Sequence, residues 1–330
     1  MTVQQQVRDM VAEILAEGEA GCGINRVVWI GAGGSNGGNY PAQYFMEHEA
    51  TRVASSMYTS NEFVHATPAY VNEGTLAVIT SMRGTKETIE AARVAHDCGA
   101  FTVALYVDES ELTEVCDRKV KYDSVAIDES NMGHTNSAVA LMLAMELVQQ
   151  TEGYAEHETA MAAFDLIDPI YRKAFDYARP LAAAWAEQNA DKPCINVMAQ
   201  GPLYGAAYIF SICNIQEMLQ IDSCTINTCD FFHGPFEILD KRTSLFQLIS
   251  VGRSRCNDER GIRFVARYGG ERVYQLDAKE LGLNDIKDSV SEYFNHLIFA
   301  PILNNVYMRA LSTVTHKDYL TRRYMWKLDY

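Results

Sequence analysis

The stretch that most limits what this chain can become lies near its start. Arg26-Val27-Val28-Trp29-Ile30 is a short apolar strand, and it runs straight into Gly31-Ala32-Gly33-Gly34-Ser35-Asn36-Gly37-Gly38. A helix follows from about Tyr40 to Glu49. Strand, glycine turn and helix in that order form the anion-binding turn of an α/β sheet, where backbone amides face the ligand and the helix dipole favours negative charge. A weaker copy returns later. Cys194 to Ala199 reads as a strand, and Gln200-Gly201-Pro202-Leu203-Tyr204-Gly205 turns into a helix from Gly205 to Ile221. The chain is therefore expected to be α/β, with two tandem modules, each a parallel sheet flanked by helices. Residues 1–150 form the first with an N-terminal helix, 151–190 a helical connector, and 191–330 the second with a C-terminal tail.

The remaining elements fill this plan. Residues 2–18 read as a helix with Val7, Met10, Val11, Ile14 and Leu15 on one face, broken by Gly21-Cys22-Gly23. Strands are expected at Val53 to Tyr58, Thr75 to Ile79, Phe101 to Val107 and Ser124 to Ile127, with helices up to Cys98 and from Asn136 to Gln150. A polar loop, 128–135, holds His134, read as a solvated loop histidine. His157 to Gln188 is alanine-rich and helical, broken by Pro169 and Pro180. Ser244 to Val251 and Glu271 to Asp277 are further strands. Arg253 to Arg267 is a solvated helix rather than an anion site. Ser289 to Leu311 is a long apolar helix suited to a core or a dimer contact.

Motifs in the first turn admit more than one chemistry. Gly31-x-Gly33-x-x-Asn36 lacks the third glycine of a dinucleotide fingerprint. Gly33-Gly34-Ser35-Asn36-Gly37 satisfies the nucleophile-elbow pattern, but it follows the first strand, whereas a hydrolase elbow needs an assembled sheet and later acid and histidine. A tight turn without a ligand is the third reading. After the third strand, Ser81, Gly84, Thr85 and Thr88 make a second hydroxyl-rich turn that fits either a phosphate cradle or an ordinary helix cap; Arg83 and Lys86 add charge. Two such strand ends in one half favour a ligand, since these sheets bind at the carboxyl ends of their strands.

Charge narrows the partners. The chain has 330 residues and a net charge of −15, with a pI near 5.0. That balance argues against nucleic acid and anionic membranes, which need basic patches. An anionic substrate must then be held by local donors. Eight cysteines are present, with no Cys-x-x-Cys pair and no zinc-like Cys/His spacing. The N-terminus is acidic and amphipathic rather than a signal core, and no run reaches the length of a membrane span. A cytoplasmic protein with reduced thiols is expected.

The chemistry is expected in Gly205 to Ile238. Glu217 is the one charged residue in the apolar run from Gly205 to Ile221. Such a carboxylate is expected in poor solvent, where a raised pKa makes it a proton acceptor near neutrality. Cys224 to Asn227 is β-prone. Asp230-Phe231-Phe232-His233-Gly234-Pro235 is a turn that carries a histidine able to give or take a proton. Glu217 and His233 are thus a base and acid pair, or else a helix-end charge and a loop histidine; the residues alone leave both readings standing.

The same stretch resembles the second sugar-isomerase (SIS) module of glucosamine-6-phosphate synthase and of bacterial deglycases that cleave phosphorylated Amadori compounds. Both carry a glutamate at a helix end and a Gly-Glu-x-x-His-Gly-Pro turn sixteen residues later, the spacing of Glu217 and His233. Phe231 to Glu237 reads like the fructose-asparagine type of deglycase. This chain departs at Cys229-Asp230, which stand where the family has Gly-Glu. The first half also resembles a SIS module, and Ser60-Asn61-Glu62-Phe63 resembles the Ser-Gly-Glu-Phe of the deglycases. The tail, Thr321-Arg322-Arg323-Tyr324-Met325-Trp326-Lys327, resembles that of the fructose-asparagine enzymes and is expected to dock rather than hang free.

The resemblance implies a deglycase acting on a 6-phosphofructosyl amino acid, with Glu217 as base and His233 as acid. It implies Gly33, Ser35, Ser60, Glu62, Ser81, Gly84, Thr85, Thr88, Asp230, Arg322 and Lys327 as substrate contacts. Ser35, Ser81, Gly84, Thr85 and Thr88 hold the phosphate, and Arg322, Arg323 or Lys327 neutralises a substrate anion. It implies no cofactor, and a homodimer with shared active sites. The tail favours asparagine or aspartate over lysine as leaving amino acid. An aldose–ketose isomerase is the alternative enzyme, and a sugar-phosphate sensor the alternative binding protein. A sensor would need no Glu217 and His233, and the first twenty residues are too few and too acidic for a DNA-binding helix-turn-helix.

Overall fold

In the computed structural model, residues 1–19 and 23–329 are described; Gly21-Cys22, in the break expected after the first helix, and the tail's Tyr330 lie outside them. The chain falls into two compact units, Met1–Asp165 and Leu166–Tyr330.

The first unit holds a five-stranded sheet in the order β2-β1-β3-β4-β5. Its strands are β1 (Arg26–Gly31), β2 (Ala54–Thr59), β3 (Thr75–Thr80), β4 (Phe101–Tyr106) and β5 (Arg118–Lys121). All four pairings are parallel. β3 is fully buried along its length, as a parallel strand covered on both faces must be. The register puts Gly31 opposite Thr59 on one side and Thr80 on the other. The loops after β1, β2 and β3 therefore leave the sheet at one level. β1 lies between β2 and β3, so successive connections diverge there and open a crevice at the carboxyl ends.

The second unit repeats this with four strands in the order β7-β6-β8-β9. They are β6 (Cys194–Ala199), β7 (Asp222–Asn227), β8 (Leu245–Ile249) and β9 (Val273–Asp277), again all parallel. Ala199 stands opposite Asn227, so the β6 and β7 loops also leave together.

Several sequence expectations are corrected. Ser124 to Ile127 forms turns, and the fifth strand is Arg118–Lys121. Only Val120 of that strand is buried, so an edge strand with charged neighbours carries no apolar run to read. His157–Asn189 is one unbroken helix of 33 residues with Pro169 and Pro180 inside it. Each proline removes a hydrogen bond to the carbonyl four residues earlier, at Asp165 and Asp176. Both prolines and both aspartates face solvent, where water can serve those carbonyls. The apolar stretch from Ser289 is several segments: a 3-10 turn Ser291–Phe294, an α-helix Asn295–Ile302 containing Pro301, a π-helical run Leu303–Met308 and a final α-helix Arg309–Thr315. Its residues from Ser291 to Phe299 are all buried, so it belongs to the core.

Candidate active site

In the first unit the structure draws the strand-end hydroxyls together. Gly33 sits at φ 54°, open to glycine at little cost, and lets the chain double back so that the Ser35 amide donates to the Ala32 carbonyl at 3.1 Å. Gly34–Gly38 is itself a helical turn before the Tyr40–Glu49 helix. Asn39 fastens this turn to the sheet: its amide donates to the Ile30 carbonyl at 3.4 Å and its Oδ1 accepts from the Thr80 hydroxyl at 2.8 Å. The Tyr122 hydroxyl bonds Ser35, and burial raises its pKa. No local pattern in the sequence marks Tyr122.

After β3 the chain makes the second turn. The Gly84 amide, at φ 69°, donates to the Ser81 hydroxyl at 3.1 Å. Thr88 is buried, and its hydroxyl lies 2.9 Å from both the Ser60 and the Thr85 hydroxyls. Ser60, Thr85 and Thr88 thus bond one another, Ser81 accepts from the Gly84 amide and Ser35 bonds Tyr122, and among the described residues no carboxylate accepts any of these bonds. Glu62 is exposed, 3.5 Å from the Thr59 hydroxyl. Arg83 turns away to pair with Asp108 at 2.8 Å.

In the second unit Glu217 lies in a π-helical run, Phe210–Met218, that continues the helix Tyr204–Ile209. π-helical turns gather at functional sites. Glu217 was expected to be alone in poor solvent; it has a cation instead. Arg322 of the tail donates Nε–H to its Oε1 at 2.7 Å. The partner lies 105 residues further along the chain, where no local reading reaches it. Glu217 Oε2 has no hydrogen-bond partner among the described residues.

The tail docks, as expected, and it docks through cations. Lys317 Nζ donates to Gln220 Oε1 at 2.7 Å and Arg323 Nη2 to the same oxygen at 3.3 Å. Gln220 sits at φ 58°, a left-handed conformation uncommon outside glycine, just where the π-helical run ends. Trp326 lies under the Arg322 guanidinium at 5.5 Å. Lys327 is exposed, and its backbone amide donates to the Tyr324 carbonyl at 2.9 Å.

His233 closes a single 3-10 turn, Phe231–His233, with its amide on the Asp230 carbonyl at 2.8 Å. Phe231 anchors the turn in the core, and Phe232, Phe236 and Phe264 pack edge-on around it. Arg260 lies over Phe232 at 4.0 Å. The imidazole itself is exposed. Gly234, at φ 142°, releases the chain from the turn. The Asp230 carboxylate makes no hydrogen bond among the described residues, and neither does it or His233 bond Glu217. The Cys229 thiol is raised by desolvation, with Asp258 and Asp230 adding to it. Among the described residues no group of three or more His, Cys, Asp or Glu side chains is placed to hold a metal ion.

Two parallel-sheet units, the first with hydroxyls at its strand ends and the second with Glu217 at the end of the π-helical run before β7 and His233 in the turn after it, make up the fold of a two-module sugar-isomerase (SIS) protein. Solved structures agree. A Salmonella typhimurium LT2 protein assigned as a phosphosugar isomerase superposes with a TM-score of 0.96 at 36% identity, over 100% of this chain and 98% of that one. A Bacillus subtilis protein assigned likewise gives 0.91 at 31% identity, over 99% and 100%. The C-terminal domain of glucosamine-fructose-6-phosphate aminotransferase from Francisella tularensis shares the fold at 0.75 and 14% identity, over 96% and 94%. No family model matches the sequence. Among curated proteins, fructosamine deglycase FrlB of Bacillus subtilis (strain 168) is 32% identical over 309 residues, 93% of each chain. Fructoselysine 6-phosphate deglycase of Escherichia coli (strain K12) is 26% identical over 222 residues, 67% of this chain and 64% of its own. The chain belongs to the fructosamine deglycase family.

Proposed function

We propose that this enzyme cleaves a 6-phosphorylated Amadori compound, 6-phosphofructosyl-aspartate or a close relative, to glucose 6-phosphate and a free amino acid. The observation that carries the reading is the 32% identity to a fructosamine deglycase across 93% of both chains. The residues supply matching chemistry. The hydroxyls of Ser35, Ser60, Ser81, Thr85 and Thr88, with the amides of Gly33 and Gly84, receive the phosphate; Glu62 and Asp230 bind the sugar or its nitrogen. Glu217 removes the C1 proton beside the ketone through Oε2. His233 protonates the carbonyl oxygen, giving an enaminol. Proton return to C2 forms an imine, and water adds at C1 to release the amine. The substrate nitrogen carries the electrons, so the steps call on no cofactor. Arg322 and Lys327 meet the substrate's anions. The working form is a cytoplasmic homodimer with shared active sites.

An aldose–ketose isomerase remains the second reading, favoured by the 36% identical structure assigned as a phosphosugar isomerase. It shares proton removal at C1 or C2 and needs no nitrogen. The test is glucose 6-phosphate release from 6-phosphofructosyl-aspartate in a coupled assay, for wild type and Glu217→Gln. Release by wild type alone supports the reading. Equal rates in both remove Glu217 from the mechanism. Conversion of fructose 6-phosphate with no release from the adduct establishes the isomerase.

A further inference from the structure

Arg322 is an anomaly in its surroundings. Leu320, Tyr324, Trp326 and Leu328 of the same tail are 60–76% exposed, whereas Arg322 is 8% exposed. Its guanidinium is only partly used. Nε donates to Glu217 Oε1 at 2.7 Å and Nη1 to the Tyr319 carbonyl at 2.5 Å. Nη2 has no hydrogen-bond partner among the described residues. A guanidinium presents a fork suited to a bidentate carboxylate, and Glu217 engages a single tine of it. Each member of the pair therefore keeps capacity: one carboxylate oxygen and one guanidinium edge.

What holds this part of the tail is also exchangeable. Its contacts with the end of the π-helical run are polar: Arg322 on Glu217, and Lys317 and Arg323 on Gln220. The large apolar side chains contribute little burial, so giving up one ion pair leaves no core opened. Substrate geometry fits the same spot. In an Amadori compound of an α-amino group, the α-carboxylate is linked to C1 through the nitrogen and Cα alone. A base at C1–H and a cation at the α-carboxylate must then be neighbours, as Glu217 and Arg322 are.

On the deglycase reading, we propose that Arg322 is a partner-exchange residue: it holds Glu217 in the free enzyme and passes to the substrate's α-carboxylate in the complex, releasing Glu217 to take the C1 proton. Arg322 is thereby a positioning residue for the base and a specificity residue for the amino acid. Adducts on an α-amino group are favoured. Adducts on the lysine side-chain amine place the carboxylate beyond the guanidinium's reach.

The test uses two inert ligands in which the ketone is reduced: the 6-phosphohexitolyl derivatives of glycine and of methylamine, the second lacking the carboxylate. Affinities are measured by calorimetry for wild type, Glu217→Gln, Arg322→Gln and the double variant. Exchange predicts that Glu217→Gln binds the glycine ligand about fivefold more tightly than wild type, the loss of one competing ion pair, and the methylamine ligand unchanged. Arg322→Gln loses the preference for glycine over methylamine. In the double variant the Glu217→Gln gain disappears, since no Arg322 remains to be freed. A gain that persists in the double variant means plain charge repulsion and overturns the exchange. So does an unchanged ligand preference in Arg322→Gln. If wild type binds neither ligand, the deglycase reading fails, and the exchange fails with it.

Discussion

The strand ends of the two units differ in where negative charge sits. After β3 in the first unit, Thr88 bonds Thr85 and Ser60, the Ser81 hydroxyl accepts from the Gly84 amide, and among the described residues no carboxylate enters. After β8 in the second unit, the corresponding turn is filled by the protein's own carboxylates. Asp258, wholly buried, accepts on Oδ2 from the Ser250 amide at 3.0 Å, the Ser250 hydroxyl at 2.7 Å and Gln200 at 3.0 Å. Glu292 accepts from the Arg253 amide at 3.0 Å and pairs with its guanidinium at 2.5 Å. Amides and hydroxyls at a strand end attract an anion in either unit. In the first unit no carboxylate among the described residues takes that place. The other unit fills it from its own chain. On the deglycase reading proposed above, binding falls to the first unit and proton transfer to the second, a division that mutants can break.

The largest effect is expected at Glu217. Glu217→Gln keeps the shape but cannot take a proton, so kcat should fall by ~10²–10⁴-fold, while KM falls by no more than the about fivefold gain in binding expected from freeing Arg322. Steady-state kinetics on 6-phosphofructosyl-aspartate checks this, and a change confined to KM would break the assignment of chemistry to the second unit. Next in size is Gly252→Ala. Gly252 is at φ 110°, and an added Cβ would overlap the Cβ of Glu292. Strain and overlap together should lower stability by about 1–3 kcal/mol, read by thermal or urea unfolding. An equivalent change at Gly84, φ 69° with a Cβ 2.8 Å from the Ser110 hydroxyl, deforms the open turn and is expected to show mainly in KM.

A smaller effect is expected at Thr88→Val. The isostere removes the hydroxyl shared with Ser60 and Thr85. Losing one such group should raise KM up to about tenfold and leave kcat within a factor of two or so, the scale of one hydrogen bond. A drop in kcat with KM constant would place the first unit's hydroxyls in the chemistry, and the division between the units would not stand.

Much of the fold is readable in the sequence because its carriers are local. Val27 to Ile30 are apolar without interruption, and the glycines from Gly31 onward can only be a turn. Arg118–Lys121 escapes because three of its four residues are charged or half-exposed and only Val120 faces inward. The prolines of the His157–Asn189 helix mislead because breaking depends on whether the freed carbonyls meet water, which sequence does not record. At the site, single-turn groupings such as Ser81 with Gly84 are legible. The Arg322–Glu217 pair, the Tyr122 bond to Ser35 and the Glu292–Arg253 pair join residues far apart in the chain and come from the fold alone. The two ion pairs decide which charges are engaged, and that is why composition marks a need for local donors without naming them.

The smallest effect sharpens the comparison most directly, since it asks what an internal anion costs. Burial raises the Asp258 pKa, against the Ser250 and Gln200 hydrogen bonds and the Arg255 charge, which lower it. Burial outweighs them, and one oxygen, Oδ1, is buried with no hydrogen-bond partner among the described residues. An acid whose folded pKa lies above its unfolded value stabilises the fold most when protonated. That contribution is complete below the ordinary aspartate range and is lost as pH climbs through the raised value. Asp258→Asn keeps an acceptor for Ser250 and Gln200 and has no proton to lose. Its stability relative to wild type should therefore improve as pH rises across that window and level off above it, by about 1 kcal/mol or less for so partial a compensation. Urea unfolding of both proteins from acid to neutral pH measures the difference. A flat difference would mean that Gln200 and Ser250 fully offset the burial, and that the second unit carries its internal carboxylate at no cost relative to the open turn of the first.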